Sequence, residues 1–100
     1  MIIIKNTSIV KIITFGFAKG ITLWPFIIVK KDADFQTVNH EKIHYEQQKE
    51  LLVIGFYLLY LVELIFKGYK NISFEREAYK YDLNSKYYKS RKNYSFLKYL

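Results

Sequence analysis

Sixteen residues from Leu51 to Phe66 form an apolar block broken only by Gly55 and Glu63, and the block separates the chain's two histidines, His40 and His44, from Glu75, Glu77 and Asp82. A helix that crosses a bilayer needs about twenty apolar residues, so residues 51–66 fall short of a simple span. Glu63 argues the same way, because a carboxylate at membrane depth is costly. The expectation is a buried helix or one that rests on a membrane. The block also limits how the chain runs. If one straight helix continued from the histidines to Phe66, it would end about 33 Å beyond His44 at about 1.5 Å per residue. An antiparallel helix starting after the turn at residues 67–71 would then leave Glu75 more than about 20 Å short of the histidines. The helix is therefore expected to bend or stop near Gly55, since glycine is a poor helix former and accepts the left-handed conformation that ends helices.

The histidines make that return worth examining. Both fall in Asn39-His40-Glu41-Lys42-Ile43-His44. Residues four apart share one helix face, so the two imidazoles can reach one ion. A catalytic zinc ion takes three protein ligands plus water, with Zn–N distances of about 2.0–2.1 Å. Glu41, next to the first histidine, lies beside the metal position and suits a general base, and zinc lowers the pKa of its bound water to about 7. The chain contains no cysteine, so a third ligand must be a carboxylate. Spacing selects Glu75 and leaves Glu63, Glu77 and Asp82 as competitors. Each has an ordinary alternative: Glu75 and Glu77 suit the first turn of a helix, Glu63 suits a lysine partner, and Asp82 suits the surface.

Around this motif the chain reads as one α+β domain over residues 1–100, mainly helical, with a short N-terminal β element packed on two or three helices. Ile21 to Val29 is rich in β-branched and aromatic residues and predicts a strand, with Pro25 pointing to an edge or a bulge. Residues 2–4 and 9–15 are candidates to pair with it. Lys30 to Asp34 is a polar loop, and Asp34 or Thr37 suits the cap of a helix from about residue 35 into the low fifties. Ser73 suits the cap of a final helix from Phe74 to about Arg91. A chain of this length leaves little room for a substrate cleft.

The net charge of +7 is uneven: residues 1–30 carry four lysines and no acid, residues 31–66 a net −3, and residues 67–100 a net +6. No basic stripe with interleaved readout residues appears, which argues against nucleic acid as a partner. Basic ends around an apolar middle fit an anionic membrane surface, or simply a solvated exterior. The N-terminus lacks the pattern of a signal peptide. The expected location is the cytoplasm or the periphery of a membrane.

Two stretches resemble known metalloproteins. Phe74-Glu75-Arg76-Glu77-Ala78-Tyr79 resembles the Glu-x-x-Ala-Asp segment that supplies the third ligand in zincin peptidases of the gluzincin type. His40-Glu-Lys-Ile-His-Tyr-Glu-Gln-Gln48 resembles an HExxHxxQQ stretch of bacterial zincin-like families. Residues 20–100 are similar to short Bacteroidetes proteins that pair an Asn-His-Glu-x-x-His helix with an Ile-Ser-Phe-Glu-Arg-Glu-Ala-Tyr segment. The resemblance implies a minimal zincin-like fold with Zn2+ on His40, His44 and Glu75, and Glu41 as the catalytic base of a metallopeptidase acting on a peptide or protein substrate. Tyr79 departs from the pattern: it stands where these peptidases carry the aspartate that orients a ligating histidine, and Asp82 is the candidate replacement. Ten tyrosines leave the oxyanion stabiliser unassigned. The competing expectation is a non-catalytic membrane-surface or interaction protein in which the metal is a structural staple or the motif a relic.

Overall fold

The computed structural model describes residues 1–100 and has an α+β architecture, with a small sheet at the N-terminus packed on several helices. The sheet has three strands, β1 (Ile2–Lys5), β2 (Gly20–Leu23) and β3 (Phe26–Val29), in the order β1-β3-β2. β1 runs parallel to β3, with Ile3 opposite Ile27, and β2 runs antiparallel to it, with Thr22 opposite Ile27. Residues 2–4 thus pair as expected. The single strand expected over 21–29 is instead a hairpin, because Pro25 cannot donate to a ladder and sits with Trp24 in the turn, their peptide bond cis.

Residues 9–15 do not form a strand. Residues 9–14 belong to α1 (Thr7–Thr14), despite their β-branched content. Asn6 starts the helix by accepting the Ile9 N–H at 3.0 Å, and Phe15 ends it in the left-handed conformation at φ 53°. Parallel neighbours need a crossover connection, and α1 forms part of the one between β1 and β3.

α2 (Phe35–Glu50) carries the histidines and is contacted by β2, β3, α3, α4 and α5. Asp34 is its cap, accepting the Thr37 N–H at 2.8 Å. Ile27 and Val29 pack on Tyr45 beneath it. α3 (Ile54–Lys67) follows, so the expected break occurs. Its mechanism differs from the expectation. Leu52 and Val53 take positive φ, 56° and 62°, and the Ile54 N–H donates to the Leu52 carbonyl at 2.5 Å, closing a γ-turn at Val53. Gly55 lies inside α3 and does not take a left-handed conformation. No helix is long and apolar enough to cross a membrane.

A 3-10 turn over Tyr69–Asn71 leads into α4 (Ser73–Tyr81). Ser73 is not the cap but the first helical residue. Its N–H and hydroxyl both donate to the Glu63 carboxylate, at 3.0 and 2.7 Å, so an acid from α3 caps α4 from outside. The helix expected through Arg91 stops ten residues early, because Asn39 of α2 donates its side-chain amide to the carbonyls of Asp82 and Asn84, both at 2.9 Å. A short α5 (Tyr87–Ser90) and a 3-10 segment, Ser95–Tyr99, complete the chain. Phe56, Ile72, Phe74 and Phe96 form the second apolar cluster, which locks α3 and α4 together.

Candidate metal centre

The reversal at Leu52–Val53 brings α4 back beside α2. The Nε2 atoms of His40 and His44 lie 3.1 Å apart, and Oε1 of Glu75 lies 2.9 Å from each. All three residues are buried, and they can hold a metal ion. A tetrahedral ion bound at about 2.0–2.1 Å separates its donor atoms by about 3.3 Å, close to the observed triangle.

The protonation of both rings follows from their neighbours. Nδ1 of His40 faces Oδ2 of Asp82 at 3.0 Å, and a carboxylate only accepts, so Nδ1 carries the proton. Nδ1 of His44 faces Oε1 of Gln47 at 2.8 Å. The Gln47 amide is oriented independently, because its nitrogen donates to the Phe74 carbonyl and to Glu77. Both rings therefore turn Nε2, with its lone pair, towards Glu75, the tautomer a metal ligand requires. Asp82 is itself held by Gln36, at 2.9 Å, and so fills the role for which Tyr79 has no carboxylate. Tyr79 instead lays its ring against His40, with centroids 4.4 Å apart.

Without an ion, two imidazole lone pairs and a carboxylate oxygen converge on one point, and a proton relieves the repulsion. Burial alone would push the His44 pKa down, but the Glu75 charge and hydrogen bond outweigh it and raise it to about 9. Burial likewise favours the neutral acid at Glu75, but His44 and His40 together hold its carboxyl below the usual carboxylate range. The second Glu75 oxygen accepts the Tyr60 hydroxyl at 2.7 Å.

The three competing carboxylates are all committed elsewhere. Glu63 caps α4, and Asp82 orients His40. Glu77 is fully buried and accepts from Gln47, Tyr87 and Arg91, and Arg91 also makes two 3.1 Å bonds to Glu50. These donors outweigh the burial that favours protonation, so the Glu77 pKa is lowered. A continuous network thus runs from His44 through Gln47, Glu77 and Arg91 to Glu50.

Glu41 lies against β2 on the rim of the same cavity. The Thr22 hydroxyl is 2.9 Å from Glu41 Oε1 and 2.8 Å from the Glu41 carbonyl, and its one proton is shared between them. Glu41 Oε2 has no protein partner, yet no buried side-chain oxygen is left unpartnered, so Oε2 opens to the cavity. Gly20 permits this approach: a Cβ there would lie 3.3 Å from Glu41 Cγ and 2.9 Å from Val29 Cγ1. Gln48 fixes the strand to the helix, donating to the Thr22 carbonyl at 2.7 Å and accepting the Trp24 N–H at 2.9 Å.

The cavity measures about 670 Å³, larger than the sequence length led one to expect, and within the range of sites that enclose small ligands. The loop after α1 and the start of α3 supply two of its walls. Tyr57, Tyr60, Tyr69 and Tyr79 line it and narrow the hydroxyls that face a bound carbonyl. Burial raises the pKa values of Tyr57, Tyr60 and Tyr69, that of Tyr57 to about 12, and the Tyr57 hydroxyl donates to the Thr22 carbonyl at 2.7 Å.

Gln47, Gln48 and Thr22 were not singled out as site residues from the sequence. Gln47 and Gln48 lie three and four residues beyond His44, on its helix face, and close the HExxHxxQQ stretch, which are the local signals available. Arg91 and Thr22 carry none. Comparison of the chain with protein-family models, curated proteins and solved structures finds no match.

Proposed function

We propose that the chain is a minimal zinc-dependent hydrolase of amide bonds, a metallopeptidase of the zincin kind. The observation that carries this reading is the buried triangle of two Nε2 atoms and one carboxylate oxygen, with edges of 2.9–3.1 Å, opening on a cavity rimmed by Glu41. Two imidazoles and one carboxylate favour zinc over magnesium or calcium, which take oxygen donors. When bound, zinc supplies a Lewis acid that polarises an amide carbonyl and acidifies a water.

The remaining work falls to the chain's own residues. Asp82 and Gln47 hold the two imidazoles in the ligating tautomer. Thr22 steadies one oxygen of Glu41, leaving the other free to take a proton from an attacking water and return it to the leaving amine. The Tyr57 and Tyr60 hydroxyls already donate to the Thr22 carbonyl and to Glu75, so the Tyr69–Tyr79 hydroxyl pair, 2.8 Å apart with one proton to spare, is the donor left for a substrate carbonyl. The test is hydrolysis of an unfolded protein such as denatured casein by the zinc-loaded chain. Glu41→Gln is expected to lower the rate by about 10²–10⁴-fold while zinc content stays the same.

One observation favours a second reading. The ligands come from α2 and α4, so an ion would tie two helices of a small domain together, as a structural staple does. In that case zinc raises the melting temperature and neither wild type nor Glu41→Gln cleaves the substrate.

A further inference from the structure

α3 is turned the wrong way round for a helix of a water-soluble surface. Only Phe56 and Glu63 among its fourteen residues are buried, and Glu63 is its one acid. That acid is turned inward to cap α4. Outward it presents Leu58, Leu61, Val62, Ile65 and Phe66, the last 81% exposed. A second apolar wall stands across the cavity mouth, where Phe15 is 94% and Phe17 72% exposed. The Phe17 ring packs edge-on against Tyr69, in the turn that directly follows α3, with centroids 5.3 Å apart. A helix face this apolar and this exposed marks an interaction site rather than ordinary exterior.

Charge selects the occupant. Lys11 and Lys19 near one wall and Lys70 beside the other are exposed, as is Lys67, whose ammonium also lies 3.5 Å from Glu63, and residues 1–30 contain no acid. A second copy of the chain would bring the same lysines and another +7 against them. An anionic lipid surface offers opposite charge at the margin and hydrocarbon at the centre, which is what an interfacial helix uses. We infer that the α3 face and the Phe15–Phe17 loop dock on the surface of an anionic bilayer, with α3 lying in the interface. This inference does not depend on the hydrolase reading. Phe15 and Phe17 also line the cavity, so the docked molecule holds the histidine site at the lipid surface.

The test is sedimentation of the full chain with vesicles of phosphatidylcholine, with or without about one third phosphatidylglycerol. Wild type is expected to pellet with the anionic vesicles and to weaken as salt rises. Leu58→Ser with Phe66→Ser, both at exposed positions, is expected to weaken partitioning by at least about tenfold. Because the chain lacks cysteine, Phe66→Cys and Ser85→Cys can each carry a single polarity-sensitive dye. The dye at 66 should shift to the blue on vesicle addition and the dye at 85 should not, whatever the double variant does. The inference is overturned if wild type stays in solution with anionic vesicles, or if the double variant binds as well as wild type. It is equally overturned if the dye at 66 reports no change, or if lipid-free ultracentrifugation shows a dimer that the double variant abolishes.

Discussion

α2 and α3 are neighbouring helices of similar length with inverted characters. α2 is polar in sequence, yet eight of its sixteen residues are buried, six of them Asn39, His40, Glu41, His44, Gln47 and Gln48. α3 is apolar almost throughout, yet two of its fourteen residues are buried. Burying a polar group costs free energy unless it finds a partner. The polar side chains of α2 meet that condition through partners on β2, α3, α4 and the turn that follows α4, and no buried side-chain N or O lacks one. Position inside the molecule is thus decided by partners, not by hydropathy, and the two helices where hydropathy and burial disagree are the two that carry proposed functions.

The comparison breaks most directly at Arg91. If the polar interior is held by mutual satisfaction, Arg91→Met leaves Glu50 and Glu77 buried without their cation. It should lower stability by about 3–5 kcal/mol in a urea titration. On α3, Leu61→Gln at a half-exposed position should change stability by less than about 0.5 kcal/mol. Equal losses at both would mean that the two helices do not differ in this way.

The second contrast is with pH. In the metal-free chain His44 has a pKa raised from 6.5 to about 9, so its stabilisation is fully present below about pH 6.5 and lost as pH rises through 9. Glu75 is lowered from 4.5, so its share is present above that value and lost as pH falls. Stability of the metal-free chain should therefore peak between about pH 5 and 6.5. Zinc must displace the His44 proton, so its affinity should climb about tenfold per pH unit over pH 6.5–9 and then level off. Thermal melts and zinc titrations across that range check both signs.

Smaller effects sharpen the picture of how the site is oriented. Asp82→Asn keeps the shape but removes the charge behind His40, and should weaken zinc binding by about 10–100-fold in a competition titration with a chelator. At the helix reversal, Val53→Gly should stabilise the fold by about 1 kcal/mol, since a β-branched residue there sits at positive φ. Gly55→Ala should be neutral or slightly stabilising, as its new methyl group meets only Leu51 Cβ at an ordinary 3.5 Å.

That last pair also shows what local sequence can and cannot reveal. The histidine helix, a cap at Asp34 or Thr37, a break early in the apolar block and the return of Glu75 all follow from short spacings and helix geometry. The residue that takes up the reversal does not follow. Glycine is the natural choice on conformational grounds, yet the chain puts Leu52 and Val53 at positive φ, with the reversal closed by the Ile54 N–H on the Leu52 carbonyl. α1 was hidden because its isoleucines and valine read as a strand, while its helical start depends on one Asn6 side chain. The early end of α4 depends on Asn39, more than forty residues away in sequence. Arg91 and Thr22 likewise acquire their roles only from partners that the fold brings together.

X-ray absorption at the zinc edge, on the chain loaded with one equivalent of zinc and dialysed, tests the central claim most directly. The expected spectrum has a four-coordinate shell of nitrogen and oxygen at about 2.0–2.1 Å, including the outer scattering of two imidazole rings. His44→Ala should remove one of those rings or release the metal. Absence of retained zinc in the wild type, or a shell without two imidazoles, would contradict it.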